Sequence, residues 1–515
     1  MKLKVPILFL FSVVIFWGSS CRKNFEYAPS AGNLSFSQDT VFLDTIFSNI
    51  GSSTYSFKVY NNTKDDVLIP SIRLRNGNSS SYRLNVDGAA GKEFSNISIN
   101  AEDSLFVFVE TTVNLDATDT VSLLYTDAVQ FDSGTDEQNV ELVTLVQDAV
   151  FLFPATNQDG TKETILLDSD DGGNQIRVQG FVLTEDQLSF TNEKPYVIYG
   201  FAVVPDGQEL VIEPGARVHF HKDSGLLIRN GAKITINGAL SENQETLENE
   251  VIFEGDRLES TFATIPGQWT AVYIQRGSVG NQISYLTLKN ANIGILVEGD
   301  EDLTTPTLTI ENSQIYNSTN HNLWARNAFV EAKNLVLGNS GSSSLYCNLG
   351  GNYSFVHCTI ANYWNTDFRT VPALQIDNFQ KLSNGNEVSS DLINAEFKNC
   401  IIAGNNQLEL LLKTNGTNSF NYEFRNCMIQ FDDIQDSFSD DALYDFDTNP
   451  PYEAILLNGN TEFFNVNQND FRIALSSDAT NVGNPDFAIE VPVDIIGMDR
   501  TTQTDLGAFQ AADKN

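Results

Sequence analysis

One six-residue phrase recurs along the second half of this chain and restricts its fold more than any other feature. It reads Leu-Lys-Asn290-Ala-Asn-Ile, Ile-Glu-Asn312-Ser-Gln-Ile, Ala-Lys-Asn334-Leu-Val-Leu, Phe-Val-His357-Cys-Thr-Ile, Phe-Lys-Asn399-Cys-Ile-Ile and Phe-Arg-Asn426-Cys-Met-Ile, at spacings of 22, 22, 23, 42 and 27 residues. A period near 22 is the length of one coil of a solenoid, and the 42-residue interval predicts an insertion around residues 380–391 or a second, degenerate coil. Within each phrase the inward phase changes at the Asn, because Phe397 and Asn399 share one parity while Cys400 and Ile402 share the other. A strand that bends at a corner requires this change, and Asn tolerates the left-handed backbone of such a corner. One coil alone leaves its backbone groups unpaired, so stability must come from stacking at about 4.8 Å per rung. Asn290, Asn312, Asn334 and His357 are therefore predicted to form one file.

The same register accounts for residues that otherwise suggest chemistry. Cys358, Cys400 and Cys427 fall at one inward position, which predicts a buried column; no Cys-x-x-Cys spacing suggests zinc, and no metal is expected. Parallel side chains one rung apart are also poorly placed for a disulfide, although the redox state of these three and of Cys347 stays open. His219 and His221 share a phase on one strand but have no third ligand nearby, so they read as structural.

Upstream, residues 33–149 alternate apolar and polar positions in short bursts. Examples are Tyr55–Tyr60, Ser71–Leu74 and Asp103–Glu110, separated by turns such as Asn76-Gly77-Asn78. This period-two pattern predicts a sandwich of seven or eight strands. With 35 Phe and no long helical periodicity, the composition agrees with an all-β chain. The 67 acidic and 30 basic residues give a net charge of −37 with no basic run, which excludes nucleic acid as a partner and describes a solvated acidic surface.

The N-terminus carries Lys2 and Lys4, an apolar run from Val5 to Trp17, and then Gly18-Ser19-Ser20-Cys21. This is the layout of a secretory signal. It resembles the lipobox of bacterial lipoproteins, with Gly18 where an aliphatic residue is usual. The resemblance implies lipidation of Cys21 and anchoring in a bilayer. Arg22, in place of an acidic residue there, points to the outer membrane, on its periplasmic face or at the cell surface.

Two further passages resemble the right-handed parallel β-helix (pectin-lyase-like) repeat proteins of the Bacteroidetes cell envelope. The first pairs Leu210-Val-Ile-Glu-Pro-Gly-Ala-Arg-Val-His-Phe220 with Leu226-Leu-Ile-Arg-Asn-Gly-Ala-Lys-Ile-Thr-Ile236, read as two stacked coils. The second is the close, Asp494-Ile-Ile-Gly-Met-Asp-Arg500 and Asp505-Leu-Gly-Ala-Phe509. The resemblance implies that this close covers the last coil, with its Asp and Arg as a buried pair. It also likens residues 33–149 to immunoglobulin-like modules that act as spacers or adhesive units. The expected plan is a signal at 1–20, a lipidated tether at 21–32, an immunoglobulin-like β-sandwich at 33–149, a connector at 150–200, a right-handed parallel β-helix at 201–490 and a closing segment at 491–515.

Alternation also predicts a surface. In Leu323-Trp-Ala-Arg326, Leu345-Tyr-Cys-Asn348 and Leu374-Gln-Ile-Asp377, the first and third residues should point inward. Trp324, Tyr346 and Gln375 should then form one outward column, with Arg326, Asn348 and Asp377 beside it and Trp364, Asp367 and Arg369 in a nearby loop. Aromatic faces flanked by amide, guanidinium and carboxylate groups suit a polysaccharide ligand. The reading that follows is a non-catalytic envelope protein that binds glycans or other surface molecules. Its rivals are a polysaccharide lyase or glycoside hydrolase, and a structural or adhesive surface protein. Gathering of Asp367, Asp377, Arg326 and Arg369 in one cleft would favour the enzyme, with Asp367 and Asp377 as its acids and Arg369 or Arg326 binding an acidic sugar. The run Asp168 to Asn174 resembles a calcium loop but lacks the downstream Glu of an EF-hand, so it reads as a polar turn and no cofactor is expected. The oligomeric state is not specified by any of these features.

Overall fold

The computed structural model describes residues 27–115, 122–132, 134–169, 173–300, 302–382, 384–448 and 450–514. The signal, Cys21 and the start of the tether lie outside the described residues. The chain divides into two compact units after Asp148.

The first unit is built from two sheets. A five-stranded antiparallel sheet holds Tyr55–Tyr60, Ser104–Thr111 and Tyr82–Val86 at its centre. A six-stranded sheet contains Val67–Leu74, Ser122–Phe131, Gln138–Gln147 and Thr40–Phe47, the last two parallel to each other. Alternate residues of both enter one core, with Phe57, Val59, Val107 and Val109 from the first sheet and Val41, Leu43, Ile69 and Leu142 from the second. The period-two bursts thus become strands with one buried face each.

The second unit is a stack of parallel coils, each giving one short strand to each of three faces. The first face is a 10-stranded sheet that includes Phe201–Val204, Gly225–Ile228, Ala271–Ile274, Ile295–Glu298, Leu323–Arg326, Leu345–Asn348, Leu374–Asp377 and Leu410–Lys413. The second and third faces join as one 19-stranded sheet, because long strands such as Leu308–Ser318 and Phe329–Ser340 run continuously around the corner between them. Inward residues from all three faces form one elongated core, with Phe355, Phe397, Phe424 and Tyr452 stacked ring on ring at centroid distances of 5.0, 4.8 and 5.7 Å.

The bent corner is where the repeated phrase placed it. Asn312, Asn334, His357, Asn399 and Asn426 all have positive φ, between 47° and 53°, and occupy successive rungs of one file. Asn334 Nδ2 donates to Asn312 Oδ1 at 2.8 Å. Asn290 does not belong to this file. Strand pairing sets Lys289 beside Tyr316 and Gly338, so Asn290 heads a neighbouring file with Asn317 and Asn339, to which it is joined through Asn317 Nδ2 at 2.5 Å. Tyr285, with φ 48°, takes the place beside Asn312. The 22-residue step from 290 to 312 thus links two different corners that share a preference for Asn.

The passages at 210–220 and 226–236 differ from their expected relation in the same way. Leu210 lies beside Ile234 on the second face, whereas Leu226 lies beside Val272 on the first. Each passage spans a strand, a Gly turn and a strand, at Gly215 (φ 80°) and Gly231 (φ 71°), but at two different corners of the coil. The 42-residue interval is a single coil with an insertion, because Val356 pairs directly with Lys398. The insertion carries the hairpin Phe379–Lys381 with Glu387–Ser389.

Cys358, Cys400 and Cys427 form the predicted buried column and, like Cys347, are free thiols. Burial pushes the Cys358 and Cys427 thiols well above their ordinary range.

The C-terminal segment does not lie over the last coil. An aromatic cluster of Phe431, Phe438, Tyr444, Phe446 and Tyr452 packs there instead, with Tyr444 Oη accepting from Leu412 N at 2.8 Å on the last strand of the first face. Residues 463–509 pack sideways against the third face, setting Phe463, Phe471, Ile473, Ile495, Leu506 and Phe509 on Val336, Ala361, Ile401, Ala403 and Met428. Asn334, Asn339, Asn399 and Asn426 donate to the carbonyls of Val493, Val466, Asn484 and Val482 respectively. Asp494 and Arg500 are both fully buried, yet they hold different partners. Arg500 donates to Asn334 Oδ1 at 2.8 Å, to the Gly507 and Ala508 carbonyls at 3.0 Å, and to His357 Nδ1. Asp494 accepts from the backbone of Ile496, Met498 and Gln510.

Candidate functional site

On the first face, inward Leu323, Ala325, Leu345, Cys347, Leu374 and Ile376 are fully buried. The parity of the strand then sends Trp324, Tyr346 and Gln375 outward on successive rungs, as strand pairing confirms. The Trp324 and Tyr346 rings lie 5.9 Å apart and 13° from parallel. His321 packs at 5.3 Å from the first ring and 5.2 Å from the second. Its Nδ1 donates to the Ser343 carbonyl at 2.9 Å, and burial lowers its pKa to about 4, so the imidazole between the rings is neutral.

The next outward column runs Glu298, Arg326, Asn348, Asp377 and Lys413. Arg326 lies with its guanidinium carbon 5.6 Å from the Trp324 ring centre, and its Nη1 donates to Glu298 Oε1 at 2.5 Å. Glu298 also accepts from Tyr273 Oη at 2.7 Å, and Arg326 Nη2 reaches Gln380 of the inserted hairpin at 3.2 Å. The carboxylate is thus fixed between a cation and a phenol, and the guanidinium between an acid and an amide.

Asn348 and Asp377 are 1% and 4% exposed, so they do not present themselves to a ligand. Asp377 accepts from Tyr346 Oη at 2.8 Å, Asn348 Nδ2 at 2.7 Å, Leu349 N at 3.2 Å and Gln375 Nε2 at 3.2 Å. Burial pushes its carboxyl above the ordinary range, against the pull of these four donors. The cluster orients Tyr346 and Gln375 from below.

An open groove of about 530 Å³ adjoins the aromatic pair. It is lined by Trp324 and Arg326 together with Tyr273, Gln275, Arg276, Glu298 and Gln380, and by Asp168 and Ser169 of an adjoining hairpin. Arg276 is exposed there. Of the groove residues, strand alternation in the sequence points only to Trp324 and Arg326. Glu298 and Tyr273 were detectable in principle, since each sits one or two rungs before an identified residue in the same column. Gln380 was not, because its position depends on how the insertion folds.

The remaining candidates lie elsewhere. Arg369 is buried and donates to both Glu409 carboxylate oxygens, at 2.6 and 2.8 Å, so it supports the loop from within. Trp364 donates through Nε1 to Asp367 Oδ1 at 2.5 Å and lines a separate cleft with Thr264, Asn317 and Asn339. Asp367, Asp377, Arg326 and Arg369 therefore do not gather in one cleft. Within the Asp168 to Asn174 run, residues 170–172 lie outside the described residues. Among the described residues no cluster of three His, Cys, Asp or Glu side chains forms a metal cage.

No protein-family model matches the chain, and no curated protein matches it. Among solved structures, the catalytic unit of a thermostable GH87 alpha-1,3-glucanase from Streptomyces thermodiastaticus is 11% identical, with 72% of this chain and 83% of that chain covered, at a TM-score of 0.20. The catalytic domain of a GH87 alpha-1,3-glucanase in complex with tetrasaccharides is 10% identical over 72% and 81%, at 0.18. A family 123 glycoside hydrolase from Clostridium perfringens is 8% identical at 0.17; the match covers 23% of this chain and spans only 30% of that enzyme. At these scores the architecture rests on the strand pairing itself.

Proposed function

We propose that this chain is a lipid-anchored protein of the cell envelope that binds a polysaccharide on the first face of its coil stack without cleaving it. In this reading Cys21 carries the anchor, the N-terminal two-sheet unit is an immunoglobulin-like spacer, and the stack is a right-handed parallel β-helix. The observation that carries the binding role is the Trp324–Tyr346 pair on adjacent rungs, held from below by Asp377 and opening beside a polar groove. Sugar rings have apolar C–H faces that settle on aromatic rings, and hydroxyls that exchange hydrogen bonds with groups such as Gln275, Gln380 and Arg276. Support from buried partners keeps such a platform in place before the ligand arrives.

Calorimetric titration of the full chain against neutral and acidic polysaccharides tests this. Trp324→Ala should weaken binding by about tenfold or more, as expected for the loss of a central aromatic contact. Binding that survives Trp324→Ala together with Tyr346→Ala would remove the platform from the account.

A specific observation favours a hydrolase as the second reading: Asp168 and Glu298 line the same groove. A hydrolase needs one carboxyl free to donate a proton, whereas Glu298 is held by Arg326 and Tyr273. New reducing ends from a bound polysaccharide, abolished by Glu298→Gln, would establish that reading over the first.

A further inference from the structure

A second cleft, of about 260 Å³, lies where the C-terminal segment meets the coil stack. Its lining is Thr264, Asn317, Asn339, Trp364, Asn365, Thr366, Asn467 and Asn469: five carboxamides, two hydroxyls and an indole. Asn317, Asn339 and Trp364 form a buried floor, 5 to 8% exposed. Thr264, Asn365, Thr366 and Asn467 form an exposed rim.

The floor is fixed by its own bonds. Asn317 Nδ2 donates to the Thr264 carbonyl at 2.8 Å and to Asn290 Oδ1, while Asn339 Nδ2 donates to the Val466 carbonyl at 2.7 Å and to Asn469 Oδ1 at 2.8 Å. Asn365 Nδ2 donates across the rim to Asn467 Oδ1 at 3.0 Å. Among the described residues this leaves the Asn317 carboxamide oxygen and the Asn469 amide nitrogen without partners, an acceptor and a donor on two residues that line the same cleft.

We propose that this cleft binds a single uncharged polyhydroxylated unit, such as one neutral sugar residue. Among the described residues no ionisable side chain lines it, so a charged ligand would lose hydration with no opposite charge to replace it. Carboxamides and hydroxyls each donate and accept, which matches vicinal hydroxyls that also do both. The volume falls below the range of about 300–1,000 Å³ typical of sites for larger ligands, so one unit fits and a chain does not. This site stands independently of the groove beside Trp324.

Titration calorimetry on the full chain, with glucose, galactose, mannose, xylose and galacturonate as separate ligands, is the test. At least one neutral sugar should bind saturably in a manner that Thr366→Phe weakens, and galacturonate should give no binding that Thr366→Phe weakens. Thr366→Phe sets a ring across the mouth from an exposed position and should weaken binding by about tenfold or more, the equivalent of one or two lost hydrogen bonds. Trp324→Ala should leave this binding unchanged, with circular dichroism confirming that both variants fold. The assignment is overturned if no neutral sugar binds, if galacturonate shows equal binding that Thr366→Phe weakens, or if Thr366→Phe has no effect on the neutral sugar. Loss of the signal in Trp324→Ala would also overturn it, by returning the heat to the groove.

Discussion

At the residue scale the most consequential groups are buried and do not meet a ligand. Glu409 and Arg369 are 0% and 2% exposed at the side chain, and Glu409 also accepts from the Ala373 backbone at 2.7 Å. Glu409→Gln strands a guanidinium in the interior, which should cost about 3 kcal/mol or more in urea denaturation; adding Arg369→Met should recover part of that loss. His321 gives a pH dependence with a defined sign. Its pKa is about 4 in the folded chain against about 6.5 unfolded, so between those values the unfolded state holds a proton that the folded state refuses. The contribution is therefore complete well above pH 6.5 and declines as pH falls through that value, by roughly 1 kcal/mol at pH 5.5. His321→Asn, which keeps a donor for the Ser343 carbonyl, should flatten that part of the stability profile between pH 7 and 5.5. Neither role was visible in the sequence, because Glu409 lies 40 residues from Arg369 and nothing local links them.

At the scale of the element, the corner file shows both what the repeated phrase could convey and where it failed. Five members of the phrase share a positive φ on successive rungs, as the change of inward parity required. Asn290 falls in the neighbouring file because two corners five residues apart both favour Asn, and identity alone does not distinguish them; only the pairing of Ser284 with Glu311 does. Tyr285 consequently holds a left-handed backbone at φ 48° with a side chain poorly suited to it. Tyr285→Asn should raise stability by about 1 kcal/mol in denaturant titration, whereas Asn312→Val should lower it by at least as much. Alternation alone located the outward column of Trp324, Tyr346 and Gln375. It could not show that Asn348 and Asp377, on the neighbouring column, turn down beneath Tyr346, since that depends on the backbone after residue 348.

For the second unit taken whole, the decisive feature is the sideways packing of the C-terminal segment. It covers Val336, Ala361, Ile401, Ala403 and Met428, which would otherwise be an apolar strip on the third face. A chain ending at Gly459 should therefore bind a hydrophobic dye strongly and aggregate, since contiguous exposed apolar surface of this kind drives association. Arg500→Met, which leaves the segment present but removes its bonds to Asn334 and His357, should give a folded protein of lower melting temperature. The terminal phrase was legible as a structural element, but its placement was not, because its partners lie 143 to 166 residues away. That separation also bears on the order in which the molecule is completed. Rungs made in the middle of synthesis wait for the last fifty or so residues before their outer wall exists, so a chain delivered N-terminus first must pass through an interval in which the stack is formed and its flank is bare.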